Sequence, residues 1–230
     1  MNTIRWMTVL CCLAACGAPA APPAPAPGGA GAPAAGAAAS EQATFLLQQG
    51  ENTLVTERVT RSGEMLRGEV TAPMGPRLTY EATLSPDATI PRIEVRLFQP
   101  GADTVPNQRV VAVVRGDSAI AQVFEADSVR TNRAAVPPQT LLTLNPSIGL
   151  IEQVVRRARA IGGQSAEVPL LPLNRGSSIG TARVSFMADS AVISAEGTEV
   201  RLQVDAAGRI LGGSIPEQGL TITRAAAGTP

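Results

Sequence analysis

The side chains best suited to chemistry in this sequence are few. A serine follows an aspartate three times, at Gly116-Asp117-Ser118, Asp127-Ser128 and Asp189-Ser190. Serine acts as a nucleophile only where a base takes its proton. The chain has no histidine, and every one of its 19 Lys+Arg cations is arginine, so neither usual base is present. These pairs are therefore read as turn residues. Paired carboxylates could hydrolyse a glycoside if two met in one cleft with separated pKa values, but the acids are scattered along alternating polar positions, where solvation is the simpler role. Metal binding fares no better. Histidine is missing, no cluster of Asp and Asn has the spacing of a calcium loop, and Cys11, Cys12 and Cys16 all sit at the front. Gly162-Gly163 and Gly212-Gly213 do not sit between a strand and a helix as a phosphate cradle requires. No enzyme is expected, with no catalytic residue, metal site or cofactor.

The remaining chemistry lies in the leader. Met1 to Arg5 carries one cation, and an apolar run from Trp6 to Ala15 follows, too short to span a bilayer. It ends in Leu13-Ala14-Ala15-Cys16. This resembles the bacterial lipobox, in which an aliphatic residue and two small ones precede an obligatory cysteine. The resemblance implies a signal peptide over 1–15, cleavage before Cys16, and diacylglycerol on the Cys16 sulfur as the lipid attachment. Cys11 and Cys12 lack such neighbours. Several acyl chains, each adding about 0.8 kcal/mol per buried methylene, would make the anchor effectively permanent. Gly17 stands where some bacteria read Asp as an inner-membrane retention signal. The expected address is therefore the bacterial cell envelope, as a periplasm-facing outer-membrane lipoprotein.

From the anchor, residues 16–40 are almost pure Ala, Pro and Gly, with nothing to bury. They are expected to form a disordered tether. Residues 41–224 are read as one β-rich domain and 225–230 as a flexible tail. Leu78, Tyr80, Ala82 and Leu84 share one face of an alternating run, as do Ile93, Val95 and Leu97, and again Val200, Leu202 and Val204. One apolar face per strand indicates antiparallel sheet rather than fully buried parallel strands. Turn signals such as Arg61-Ser62-Gly63, Ser85-Pro86-Asp87 and Asp205-Ala206-Ala207-Gly208 separate the runs. The spacing predicts a mainly β fold: a curved antiparallel sheet or open barrel of about ten strands.

One segment breaks the period of two. Asn145-Pro146 can open a helix and Gly162-Gly163 can close it, predicting one amphipathic helix over about 146–161. Ile148, Leu150, Ile151, Val154, Val155, Ala158 and Ile161 fall on one half, and Glu152, Gln153, Arg156, Arg157 and Arg159 on the other. The apolar half is expected to pack on the concave face of the sheet. Ala134 to Thr140, with Pro137-Pro138, reads as a loop into the helix. Pro169 and Pro172 mark Val168 to Leu173 as an edge strand or extended loop with exposed leucines.

In outline this architecture resembles the periplasmic half-barrel carriers of lipids and lipoproteins, and several uncharacterised β-rich envelope proteins. The resemblance implies an apolar or lipid-like ligand held between sheet and helix. The other expectation is a structural or assembly role, with edge strands or the leucine-proline run meeting an envelope protein. Charges balance at 19 against 19 and aromatics are scarce, which argues against nucleic acid.

Overall fold

A computed structural model describes residues 40–101, 104–174 and 178–225. The signal peptide, Cys16 and nearly all of the tether and tail lie outside the described residues. Within them the chain forms strands β1 (Glu41–Gln49), β2 (Asn52–Ser62), β3 (Met65–Thr71), β4 (Arg77–Thr83), β5 (Arg92–Phe98), β6 (Gln108–Arg115), β7 (Ser118–Glu125), β8 (Ser128–Ala135) and β9 (Leu141–Thr143). The helix α1 (Ile148–Ile161) follows, then β10 (Ser165–Pro172), β11 (Gly180–Met187), β12 (Ser190–Ala195), β13 (Thr198–Val204), β14 (Ile210–Ile215) and β15 (Leu220–Ala225).

All of the strands belong to one open sheet in the order β8-β7-β6-β5-β4-β3-β2-β1-β15-β14-β13-β12-β11-β10-β9. Two meanders are joined where β1 pairs with β15, and β8 and β9 are left as the two edges. Neighbours are antiparallel except β9 and β10, which run parallel because α1 connects them as a crossover. The sheet has 15 strands rather than about ten. Two of the strands, β8 and β9, lack an alternating signature. β8, Ser-Val-Arg-Thr-Asn-Arg-Ala-Ala, is exposed along nearly its whole length and so needs no apolar face. β9 is three residues long. It begins just after the Ala134 to Thr140 stretch read as a loop, whose first two residues belong to β8, and β10 carries two prolines yet pairs on both sides. Pro169 lies one residue outside the β9 pairing, which covers Leu170, Leu171 and Pro172. Leu171 is buried and Leu170 half-buried, so the expectation of exposed leucines there is corrected.

The inward faces follow the period-two pattern. Tyr80, Ala82 and Leu84, then Ile93 and Val95, then Leu202 and Val204 are all buried in one core. Gly116-Asp117 is the two-residue turn between β6 and β7, and the sheet bulges beside Gly212, where Gln203 and Val204 of β13 face Gly212 and Ile210 across a skipped Leu211. The two wings converge. Ala112, Ala119 and Ala121 of the first wing line one narrow cleft of about 60 Å³ with Leu171 and Leu173 of the second.

α1 starts at Ile148, not Pro146. Ser147 is its N-cap, accepting from the Leu150 amide, and the preceding Asn145-Pro146 bond is cis. Gly162 ends it at φ 91°, its amide returning to the Ala158 carbonyl. The polar half of the helix is not a solvated face. Glu152, Gln153 and Arg157 are buried, because the helix has protein on both sides and each polar group meets a partner from the sheet or a loop. Ile161, placed on the apolar half, is 47% exposed.

Candidate functional site

The first turns of α1 form one wall of a cleft of about 390 Å³, and the opposite wall is the second wing of the sheet. Leu150, Ile151 and Val154 face Ile193, Val200 and Ile215 across it. Leu144 and Leu170 continue the apolar lining. Thr143, Asn145, Thr198, Glu196 and Gln218 supply polar groups. The volume falls in the range of small-molecule pockets, about 300–1,000 Å³, and an apolar lining with a few convergent polar groups is their usual composition. The helix pattern explains the wall. Leu150, Ile151 and Val154 follow the spacing of one helical face, and Val155 and Ala158 continue it into the packed core.

What fixes the helix against this cleft is a buried carboxylate from the other wing. Glu57 of β2 is fully buried. Its Oε1 accepts from the Tyr80 hydroxyl at 2.8 Å and from the Ser147 hydroxyl at 2.6 Å. Its Oε2 accepts from the Ile148 amide and, at 3.1 Å, from the Gly149 amide. These two amides belong to the first turn of α1, where helical N–H groups have no partner within the helix and the macrodipole favours a negative charge. Burial pushes the Glu57 carboxyl above its ordinary range, and the bonds from Ser147, Tyr80, Gly149 and Ile148 draw it part of the way back. Burial, reinforced by Glu57, likewise raises the Tyr80 phenol.

Two glycines make room for this cluster. A Cβ on Gly149 would lie 2.5 Å from the Tyr80 hydroxyl and 2.8 Å from Val59 Cγ2, and a Cβ on Gly68 would lie 2.2 Å from the Tyr80 ring. The helix is tied down further along as well. Glu152 accepts from the Ile210 amide at 2.9 Å. Gln153 accepts from Arg61 at 2.7 Å and donates to the Ala88 carbonyl at 2.7 Å. Arg157 donates to the Asp87 carbonyl at 2.7 Å and to Gln139.

Of the residues singled out from sequence, Cys16 lies outside the described residues. Ser118 sits in the β6–β7 turn, its hydroxyl turned to Asp117 at 3.2 Å. Ser190 donates to the Met187 carbonyl within its own turn. These serines are apart from the cleft. Glu57 was not singled out, although a signal was present. Within Val55-Thr56-Glu57-Arg58-Val59-Thr60-Arg61, both Glu57 and Arg61 share the face of Val59, which puts two charged groups on the inward side.

No protein-family model matches the chain, and no curated protein matches it. Among solved structures, a DUF1089 family protein (PA1994) from Pseudomonas aeruginosa has a similar fold. The match has a TM-score of 0.52 at 15% identity and covers 71% of this chain and 91% of that one. At that identity the likeness concerns the fold alone.

Proposed function

We propose that this chain is a non-enzymatic envelope lipoprotein, anchored to the outer membrane through acyl chains on Cys16 and facing the periplasm. Its domain holds an apolar or lipid-like molecule between the helix and the concave side of the sheet. The observation that carries the ligand reading is the cleft of about 390 Å³ in which Leu150, Ile151 and Val154 of α1 face Ile193, Val200 and Ile215. A filled core would have closed these side chains on one another. The polar groups at Asn145, Thr198, Glu196 and Gln218 suit an amphipathic molecule with its polar end among them. The anchor rests on Leu13-Ala14-Ala15-Cys16 in its leader context.

Native mass spectrometry of the unlipidated residues 41–230, exported to a bacterial periplasm and purified without detergent, tests the ligand reading. A reproducible added mass removed by organic extraction is the expected result. An apo mass that takes up no offered lipid would end it. For the anchor, Cys16→Ala is expected to leave the chain unprocessed, and a cleaved soluble product would contradict the lipobox.

A second reading, assembly with another envelope protein, is favoured by the edge strand β8, which is open along one side and shows Val129 at 59% exposure. Photo-crosslinking from position 132 in cells would give a specific adduct under that reading and none otherwise.

A further inference from the structure

We propose that the recess at the C-terminal end of α1 is a binding site for a phosphate group, held by Arg61, Arg156 and Arg159. Arg61 comes from β2, and Arg156 and Arg159 come from successive turns of α1. All three line one recess of about 470 Å³. Its other walls are the turn after β4, with Ser85, Pro86 and Ala88, and the β13–β14 turn, with Ala206 and Ala207. Glu64 is the only acid in the lining; of the three cations Arg156 is already paired with Glu41 and Glu152, and Arg61 and Arg159 are in no ion pair among the described residues. The recess shares no lining residue with the apolar cleft, so it stands independently of the ligand reading above.

The way the arginines are partnered sets this place apart. Most described arginines form ion pairs, including Arg156, which meets Glu41 at 3.2 Å and Glu152 at 2.9 Å. Arg61, Arg115, Arg133, Arg159 and Arg183 are in none among the described residues. Of these, Arg115, Arg133 and Arg183 are exposed, whereas Arg61 and Arg159 are half-buried and both line this recess. Arg61 donates only to the neutral Gln153 amide. Arg159 lies over the Phe186 ring at 4.8 Å, and its Nε is buried with no hydrogen-bond partner. Removing cations from water without a counter-charge is costly. Burial together with the nearby Arg156 charge depresses the Arg61 guanidinium.

A tetrahedral oxyanion among the three would bring a counter-charge to Arg61 and Arg159, which have no ion pair among the described residues. It would accept from planar guanidinium forks, a geometry that suits phosphate. The cradle is also preformed. Gly208, at φ +77°, lets its turn close on the arginine stems, and a Cβ there would lie 3.2 Å from Arg156 Cγ and 3.3 Å from Arg159 Cδ.

The test is equilibrium dialysis of the full chain against radiolabelled inorganic phosphate and, separately, dihexanoyl phosphatidic acid below its micelle concentration. Saturable binding is expected for wild type, weakened about tenfold or more by Arg61→Gln and by Arg159→Gln and unchanged by the exposed control Arg115→Gln. Should the arginine variants fail to fold, Ala207→Glu decides, because it adds an acid to the exposed rim without touching the core and is expected to abolish binding. Tighter binding of the phosphatidic acid would identify a lipid headgroup as the source, and equal affinity a free phosphate ester. Either supports the site. Absence of saturable binding of both probes, or binding that Arg159→Gln and Ala207→Glu leave within about twofold, would overturn it.

Discussion

Replacing Glu57 by Gln tests whether one buried side chain sets the position of α1. The amide keeps the shape and one oxygen, which can still accept from Tyr80 and Ser147 as Oε1 does now. Its NH2 group would stand where Oε2 accepts from the Ile148 and Gly149 amides. That nitrogen has no lone pair to offer, so two buried N–H groups lose their acceptor, at about 1–3 kcal/mol each. Removing a charge from a site with no exposure returns part of this. A net destabilisation of about 2–4 kcal/mol follows, a large share of the 5–15 kcal/mol typical of a whole domain. Urea unfolding followed by far-UV circular dichroism measures it. Tyr80→Phe removes one donor only and should cost about 1 kcal/mol.

The pH dependence has a definite sign. Because burial raises the folded pKa of Glu57 above the ordinary 4.5, its contribution is complete below that value and declines as pH rises through the raised one. A protonated carboxyl oxygen still keeps a lone pair for the helix amides, so Gln remains the worse residue in acid. The gap between wild type and Glu57→Gln should therefore be widest in mild acid and narrow toward neutrality. A variant as stable as wild type within about 0.5 kcal/mol, or less damaging than Tyr80→Phe, would refute the helix-anchor argument.

Gly149→Ala drives a methyl to 2.5 Å from the Tyr80 hydroxyl and should cost about 1–3 kcal/mol in the same unfolding assay. Ala195→Phe, which fills the apolar cleft from the sheet side, should reduce the bound mass seen by native spectrometry while leaving the thermal midpoint within a few degrees. Acid should destabilise the fold through other groups. At Asp87, burial is outweighed by the hydroxyl and amide of Thr89 and by Arg157. At Glu94, burial is outweighed by Arg96 and Arg92, so both carboxyls sit below their ordinary values. Stability from such groups is present above the unfolded values of 3.8 and 4.5 and is lost as pH falls through the lower folded ones, which an acid titration by circular dichroism would record.

How much of this was legible in the chain depends on what made each signal. β4, β5 and β13 read clearly because one face is buried and the other wet, which stamps a period of two on the sequence. β8 left no such mark, since an exposed edge strand needs no apolar face, and β9 is too short to show a period. The helix was legible in type and nearly in extent, but what its polar half meets was not. Composition cannot separate a face turned to water from one turned to distant protein partners, as Arg157 is to Asp87, 70 residues away, and Gln153 to Arg61, 92 away. The Glu57 cluster joins β2 to β4 across 23 residues and to the helix start across 90 and 91, so only the fold assembles it.

Those long-range bonds also bear on how the proposed ligand would reach the cleft. A lid must leave its seat at modest cost. Lifting α1 would strip Glu57 of the Ile148 and Gly149 amides, Glu152 of the Ile210 amide, and Arg157 of Asp87. At about 1–3 kcal/mol each, the four bonds together are comparable with the stability of a whole domain. The helix therefore stays in place, and access falls to the segments beside its start, where Thr143, Asn145 and Pro172 rim the cleft near the short edge strand β9. Native-state hydrogen exchange separates the two routes. Amides of Val154, Val155 and Ala158 should exchange only on global unfolding, whereas those of Leu141 to Thr143 should exchange through a cheaper local opening. Helix amides exchanging several kcal/mol below the global value would show that α1 does move, and that its buried polar face is weaker than its bonds imply.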